Sequence, residues 1–359
     1  MQLILFWKFR GILNLMNALS KAFSLNYSAA KKTSIAECFL TYKESELIDA
    51  NLPVLEKRSE IEAWNQAKTC AEKIRKSISD DVFNNLQKLR KSEIPALVIR
   101  GFQLPKKLPP TPIDGRISLE KISGPLEILL GIFDIFDATP VGYAGENEDC
   151  FIRHVVPSKL ALEEVSSHGS LMPLNSHIDN PHLPIGVESC EEESPAPNYI
   201  GWLGLRCELD VPTSVVLLED VLAILPSAVI DSLKKPIFEI YRPPSFGAGA
   251  TNQRLAPILV PDHTGKLCTR HGFAEPTNSE ASHALSLFSI AANSSDLTHQ
   301  VILRPGDLLL INNQKCMHGR DVFQPRYDGT DRWLLRFYGV QNWRPQWMSS
   351  HQLPYLVKG

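Results

Sequence analysis

Between residues 213 and 340 the chain carries a succession of short apolar, β-branched runs, at 213–218, 236–241, 256–260, 300–303, 307–311 and 332–340, divided by clusters of Pro, Gly and Asn. Runs of that length suit strands, and the turn residues between them forbid one long element. Helical text interrupts the series only at 222–234 and 281–292, so strands and helices do not alternate as a doubly wound sheet requires. The expected class is mainly β with flanking helices on a double-sheet jelly roll, the cupin-like double-stranded β-helix.

The earlier part of the chain reads differently. Within 60–91, Ile61, Trp64, Ala67, Ala71, Ile74 and Ile78 recur at helical spacing and outline one amphipathic helix. A strand at 95–101 follows, then a Pro-rich link at 105–112 and a second helical stretch at 119–136. These changes divide the chain into an N-terminal extension (1–36), a mostly helical supporting region (37–140), a jelly-roll core (141–345) with a lid insertion around 242–298, and a C-terminal tail (346–359). The extension has no acidic residue before Glu37, and its apolar start is broken by Lys8 and Arg10. That run is far shorter than the roughly 20 residues that cross a bilayer, and translation beginning at Met16 is a plainer reading than a targeting segment. Residues 191–197 read as a surface loop.

Charge and cysteine content bear on partners and compartment. With 37 Lys and Arg against 40 Asp and Glu, the chain lacks the basic excess that captures nucleic acid, so the expected partner is a small molecule, with no nucleic acid and no membrane. The seven cysteines are odd in number and form no CxxC pair, which reads as reduced thiols in a cytoplasmic protein.

Metal-binding chemistry is concentrated in two places. In the segment Leu-Asn-Ser-His-Ile-Asp-Asn at 174–180, His177 and Asp179 stand two apart, and on an extended chain such residues project to the same face. In 312–320, His318 follows a turn at 304–307 and a buried-type strand at 308–311, which sets it just past a strand end. Two imidazoles and one carboxylate on one octahedral face leave three positions open, which suits an iron(II) ion that must bind a cosubstrate and dioxygen together. Cys316, two residues before His318, keeps open a zinc site of His, His and Cys. In the segment Asp-Gly-Thr-Asp-Arg-Trp-Leu-Leu-Arg at 328–336, Arg332 lies fourteen residues after His318 and Arg336 four further on, sharing a face if the segment is a strand. A guanidinium grips a carboxylate in bidentate fashion, so Arg332 is the candidate for the distal carboxylate of 2-oxoglutarate.

The HxD pair, the distal HGR and the 328–336 segment together resemble the clavaminate synthase-like branch of the taurine dioxygenase (TauD/TfdA) superfamily, whose members include iron(II)/2-oxoglutarate-dependent hydroxylases of free amino acids. The resemblance runs from about 141 to 340. It implies Fe(II), 2-oxoglutarate and O2 as the reactive set, with no catalytic residue beyond the metal site. It places Thr213 beside the cosubstrate and Arg336 on the carboxylate of an amino-acid substrate. The stretch 142–157 is similar to one whose polar side chain meets the substrate amino group, a place held here by Glu146 or Asn147. The stretch 169–174 resembles the substrate-lining approach to the metal motif and puts Ser170 and Leu171 against the substrate. Several relatives carry HxE where this chain has Asp179, and arginine oxygenases of the branch carry lid acids that hold a guanidinium, whereas 267–273 here contains none and only Asp262 and Glu275 flank it. The expected reaction is therefore hydroxylation of an asparagine-like or lysine-like amino acid, or of a derived metabolite, releasing succinate and CO2. Desaturation at the same iron site is an alternative outcome, and a jelly-roll binding protein without turnover is the alternative class.

Overall fold

Strands that are apolar at nearly every position need cover on both faces, and the architecture provides it. The computed structural model describes residues 33–53, 59–162, 164, 166, 168–189, 194–246 and 254–359. The expected start at Met16, most of the extension, Cys190 and the acidic run at 191–193 lie outside them. The larger sheet is nine-stranded and mixed, in the order Ala36–Phe39, Ala96–Arg100, Leu308–Asn312, Tyr199–Arg206, Trp333–Val340, Thr139–Tyr143, Leu353–Val357 and Met348–Ser350, with Arg153–Val155 also paired to Trp333–Val340. A four-stranded antiparallel sheet runs Thr298–Val301, Thr213–Leu217, Cys316–Arg320, Leu174–His177.

Period-two alternation assigns each strand's two faces to different cores. Leu97, Ile99, Leu308, Leu310, Leu335 and Phe337 pack against the N-terminal helices. Their neighbours Val98, Leu309, Ile311, Leu334 and Tyr338 turn the other way and share a core with Val215, Leu217 and Val301 of the small sheet. Behind the small sheet, Val216 and Met317 meet the helices Leu218–Ile224, Ser227–Leu233 and Ser279–Ala292. The order of layers is helices, large sheet, small sheet, helices, and the site opens between the sheets.

Glycines set how closely the first layer approaches. A Cβ on Gly201 would lie 2.5 Å from Phe133 of the helix Pro125–Ile135, and one on Gly131 of that helix would lie 2.8 Å from the Cys70 backbone in the helix Ala67–Arg75. Only hydrogen fits at these contacts.

Several expected elements divide at chemically legible points. The single helix expected over 60–91 is three, Glu60–Asn65, Ala67–Arg75 and Asp80–Arg90, with Ser59 and Glu62 forming a capping box and Ser79 starting the last. The 222–234 helix is two, because Leu225, before Pro226, is extended. Pro257 splits the 256–260 run into Arg254–Ala256 and Leu259–Pro261, which belong to different sheets. His318 sits inside the strand Cys316–Arg320 and not past a strand end. The segments before 141 and after 345 both lend strands to the large sheet: Ala36–Phe39 pairs with Ala96–Arg100, and Leu353–Val357 runs parallel to Thr139–Tyr143. Among the described residues no helix is long and apolar enough to cross a membrane.

Candidate metal centre

Strand pairing, not chain proximity, assembles the centre. In the register of Cys316–Arg320 against Leu174–His177, His318 lies directly opposite His177. Their rings stand 4.4 Å apart, centroid to centroid. Asp179 reaches both: Oδ1 is 3.6 Å from His177 Nε2 and Oδ2 is 3.7 Å from His318 Nε2. One ligand atom from each of the three falls within 4.8 Å of the others, the only such cluster of His, Cys, Asp or Glu among the described residues.

The surroundings prepare these atoms as ligands. His177 Nδ1 donates to the Asn175 carbonyl at 2.8 Å, which fixes the tautomer and leaves the Nε2 lone pair facing Asp179. Burial, then the neighbouring His177, lowers the His318 pKa to about 3, so its imidazole is neutral. Trp202 packs edge-on against that ring at 4.9 Å. Burial by itself would raise the Asp179 carboxyl, but the Arg336 guanidinium, followed by His177, holds it well below the usual carboxylate range. Asn313 clamps the ligand loop: it accepts from Asp179 N–H at 3.0 Å and donates to the Asp179 and Pro197 carbonyls at 3.0 and 3.1 Å.

This donor set fits iron(II). Two imidazoles and one carboxylate are gathered on one side of a cavity, and no fourth His, Cys, Asp or Glu donor joins them among the described residues. The His, His, Cys zinc arrangement does not form. Cys316 donates its thiol to the Pro95 carbonyl at 3.1 Å, and burial raises its pKa far above the ordinary thiol range.

A cavity of 1310 Å³ adjoins the centre, lined by His177, Asp179, His318, Thr213, Arg332 and Arg336 among others. Arg332 Nη2 donates to Thr213 Oγ1 at 2.8 Å, uniting two residues 119 apart in the chain. Arg336 Nη1 meets Asp179 Oδ2 at 3.2 Å, and its Nη2 lies 3.7 Å from Glu146 Oε1. Tyr338 donates its hydroxyl to that same Glu146 oxygen at 3.3 Å and lays its ring under the guanidinium. Glu146 is followed by three non-glycine residues in the left-handed region, Asn147, Glu148 and Asp149, a conformation that costs free energy at each step and concentrates where a side chain must be aimed.

Other expected site residues are placed differently. The Asn147 amide is engaged internally: Nδ2 donates to the Cys150 and Ile152 carbonyls, and Oδ1 accepts from Arg153 at 3.3 Å. Ser170 and Leu171 are not brought to the cavity wall, because their backbone N–H groups fold back onto the Leu162 carbonyl. Ser170 is fully buried and Leu171 is exposed, while Leu174 lines the cavity instead. Three residues with no role assigned from the sequence also shape the site: Asn313, Arg153 and Arg320. Asn313 and Arg320 flank His318 in the segment 312–320. Their place in the same short segment as His318 was the available signal.

Fold and chemistry define an iron(II)/2-oxoglutarate-dependent oxygenase, and the comparisons with known proteins agree. A model of the taurine catabolism dioxygenase TauD, TfdA family matches residues 252–338. The chain is 28% identical over 257 residues to an L-asparagine oxygenase of Streptomyces coelicolor, covering 69% of this chain and 72% of that one. It is 24% identical over 255 residues to an L-lysine 3-hydroxylase of Catenulispora acidiphila, covering 68% and 66%. Its fold is that of asparagine oxygenase solved with Fe(II), 2S,3S-3-hydroxyasparagine and succinate: TM-score 0.75, 22% identity, 90% of this chain and 99% of the other. These matches bear out the resemblance to the TauD/TfdA superfamily that the motifs carry.

Proposed function

We propose that this oxygenase hydroxylates an unactivated C–H bond of a free amino acid or an amino-acid-derived metabolite, with release of succinate and CO2. The observation carrying this reading is the convergence on one cavity of the His177, Asp179 and His318 ligand atoms, the Arg332–Thr213 pair and the Arg336–Glu146 pair. The two facing sheets serve as a jelly-roll core over about 141–345, supported by 37–140, with a lid around 242–298 and the tail 346–359 closing one edge. The free thiols of Cys38, Cys70, Cys150, Cys207, Cys268 and Cys316 suit a cytoplasmic setting.

His177, Asp179 and His318 would hold iron(II), and Arg332 with Thr213 would take the distal carboxylate of 2-oxoglutarate. When bound, the iron, 2-oxoglutarate and O2 supply oxidative decarboxylation and the insertion of one oxygen atom into a C–H bond. The chain's own contribution is placement. Arg336, already bridging Asp179 and Glu146, presents its charge to a substrate carboxylate, and Glu146, held by Tyr338, presents a carboxylate to the ammonium. A free amino acid carries both groups on one carbon.

Asparagine-like and lysine-like side chains fit better than arginine. The lid wall is itself basic: Arg270 and Arg254 both pair with Glu188. Asp262 is taken by Lys315 at 2.8 Å, and Glu275 lies opposite Glu239 in a strand pair. Neither Asp262 nor Glu275 lines the cavity, so a substrate guanidinium would meet neither acid at its wall.

The test is anaerobic addition of iron(II) and 2-oxoglutarate, followed by a succinate-release screen over amino acids. The wild type should give a weak charge-transfer absorption and substrate-stimulated succinate, and Asp179→Ala or His318→Ala should abolish both. No absorption and no succinate with any amino acid would refute the reading in favour of a binding protein without turnover.

A further inference from the structure

The geometry points to Arg320 as a second guanidinium of the cosubstrate subsite, acting beside Arg332 on the distal carboxylate of 2-oxoglutarate. This rests on the functional reading above, and it adds a residue to which neither motif nor relative assigned a role.

Arg320 follows His318 by two positions on the strand Cys316–Arg320, and Arg332 directly precedes the strand Trp333–Val340. Both side chains are more than nine-tenths buried, both line the cavity, and their charges repel each other across it. Neither forms an ion pair with a carboxylate among the described residues. Arg332 is held by the neutral Thr213 hydroxyl. Arg320 donates Nη1 to the Asp321 backbone carbonyl at 2.8 Å and rests over the Phe323 ring, while its Nη2 is buried with no hydrogen-bond partner. The adjoining Asp321 is exposed; its charge favours the Arg320 cation but forms no ion pair with it.

Arg336, deeper in the same cavity beside the metal ligands, shows the contrast: it has both Asp179 and Glu146. A buried cation without a counter-ion is costly, and two that repel are costlier. The fold tolerates that arrangement where an anion is to be received. A carboxylate entering beside Arg332 relieves both charges at once, so Arg320 strengthens cosubstrate binding without touching the metal.

The experiment uses the full chain with manganese(II) in place of iron, titrating 2-oxoglutarate by calorimetry. Arg320→Met should weaken 2-oxoglutarate by about 10- to 100-fold, the loss expected for a buried charged contact, while manganese(II) affinity stays within about threefold of wild type. Arg320→Lys, which keeps the charge, should recover most of the affinity. Without ligand, Arg320→Met should melt at or above the wild-type temperature, because a repelling buried charge is gone. Wild-type 2-oxoglutarate affinity in Arg320→Met would overturn the inference. So would parallel loss of manganese binding, or a variant that melts lower or fails to fold, since each makes Arg320 a structural partner. A wild type that binds manganese but no 2-oxoglutarate would instead bring down the functional reading itself.

Discussion

Asn313 offers the sharpest check on how the centre is held together. It is almost fully buried, and its amide makes three hydrogen bonds, two of them to the backbone of Asp179. Asn313→Ala deletes all three and leaves two carbonyls and one N–H buried without partners. At about 1 kcal/mol net per bond the loss is about 3 kcal/mol, a roughly 100-fold shift in the folding equilibrium. Because the freed backbone carries a metal ligand, metal affinity should also fall by about tenfold, the lower end of what outer-shell changes cause. Asn313→Asp keeps the acceptor for Asp179 N–H but loses both donors and sets a second carboxylate against carbonyl oxygens, so it should be at least as damaging as alanine. Urea unfolding of the metal-free protein and a manganese(II) titration measure the two effects separately. A stability loss below about 1 kcal/mol with unchanged metal affinity would show that the Asp179 loop is held by something other than this amide.

Three further outcomes follow from other contacts. Burial lifts the Glu60 carboxyl from 4.5 to about 7 even though Phe151 N–H donates to it at 3.0 Å. The folded state thus holds a proton that the unfolded state releases. This stabilisation is complete below about 4.5 and lost as pH rises through 7, so Glu60→Gln should flatten that limb of the stability curve and gain on the order of 1 kcal/mol at pH 8, read from urea melts at pH 5 and 8. Gly131→Ala would place its methyl 2.7 Å from Ile74 and 2.8 Å from the Cys70 backbone. It should destabilise by about 1–2 kcal/mol despite the roughly 1 kcal/mol that alanine contributes in a helix; a stabilised variant would mean the helices separate freely. Arg336→Met removes the cation that Asp179 and Glu146 share, so the metal-free protein should lose about 3 kcal/mol in chemical unfolding, and succinate release should cease to respond to any amino acid.

The class of chemistry was legible because its signals are local. His177 ends a strand and Asp179 stands two residues on, close enough for both to reach one point, and Arg332 and Arg336 stand four apart at the start of another strand. Period-two geometry fixes such relations before any tertiary contact forms. Strand text between Pro and Gly clusters likewise announced a β-rich fold. The central strand Tyr199–Arg206 was not among the expected runs; Gly201 and Gly204 interrupt its apolar text, and Gly201 is required by Phe133 of a helix packed on the sheet. Helix ends at Ser59, Ser79 and Pro226 were written in the chain but masked by continuous apolar periodicity across them.

What only the tertiary structure decided is which distant residues meet. His318 faces His177 through a strand register, Thr213 meets Arg332, and Asn313 grasps Asp179, each pair more than a hundred residues apart. The failure of Ser170 and Leu171 to reach the cavity, and the absence of a carboxylate partner for Arg320 among the described residues, belong to the same category. Local spacing dictates which face a side chain takes along its own strand, but the neighbour across that face is set by sheet pairing and by core packing summed over the whole chain. No single segment contains that information.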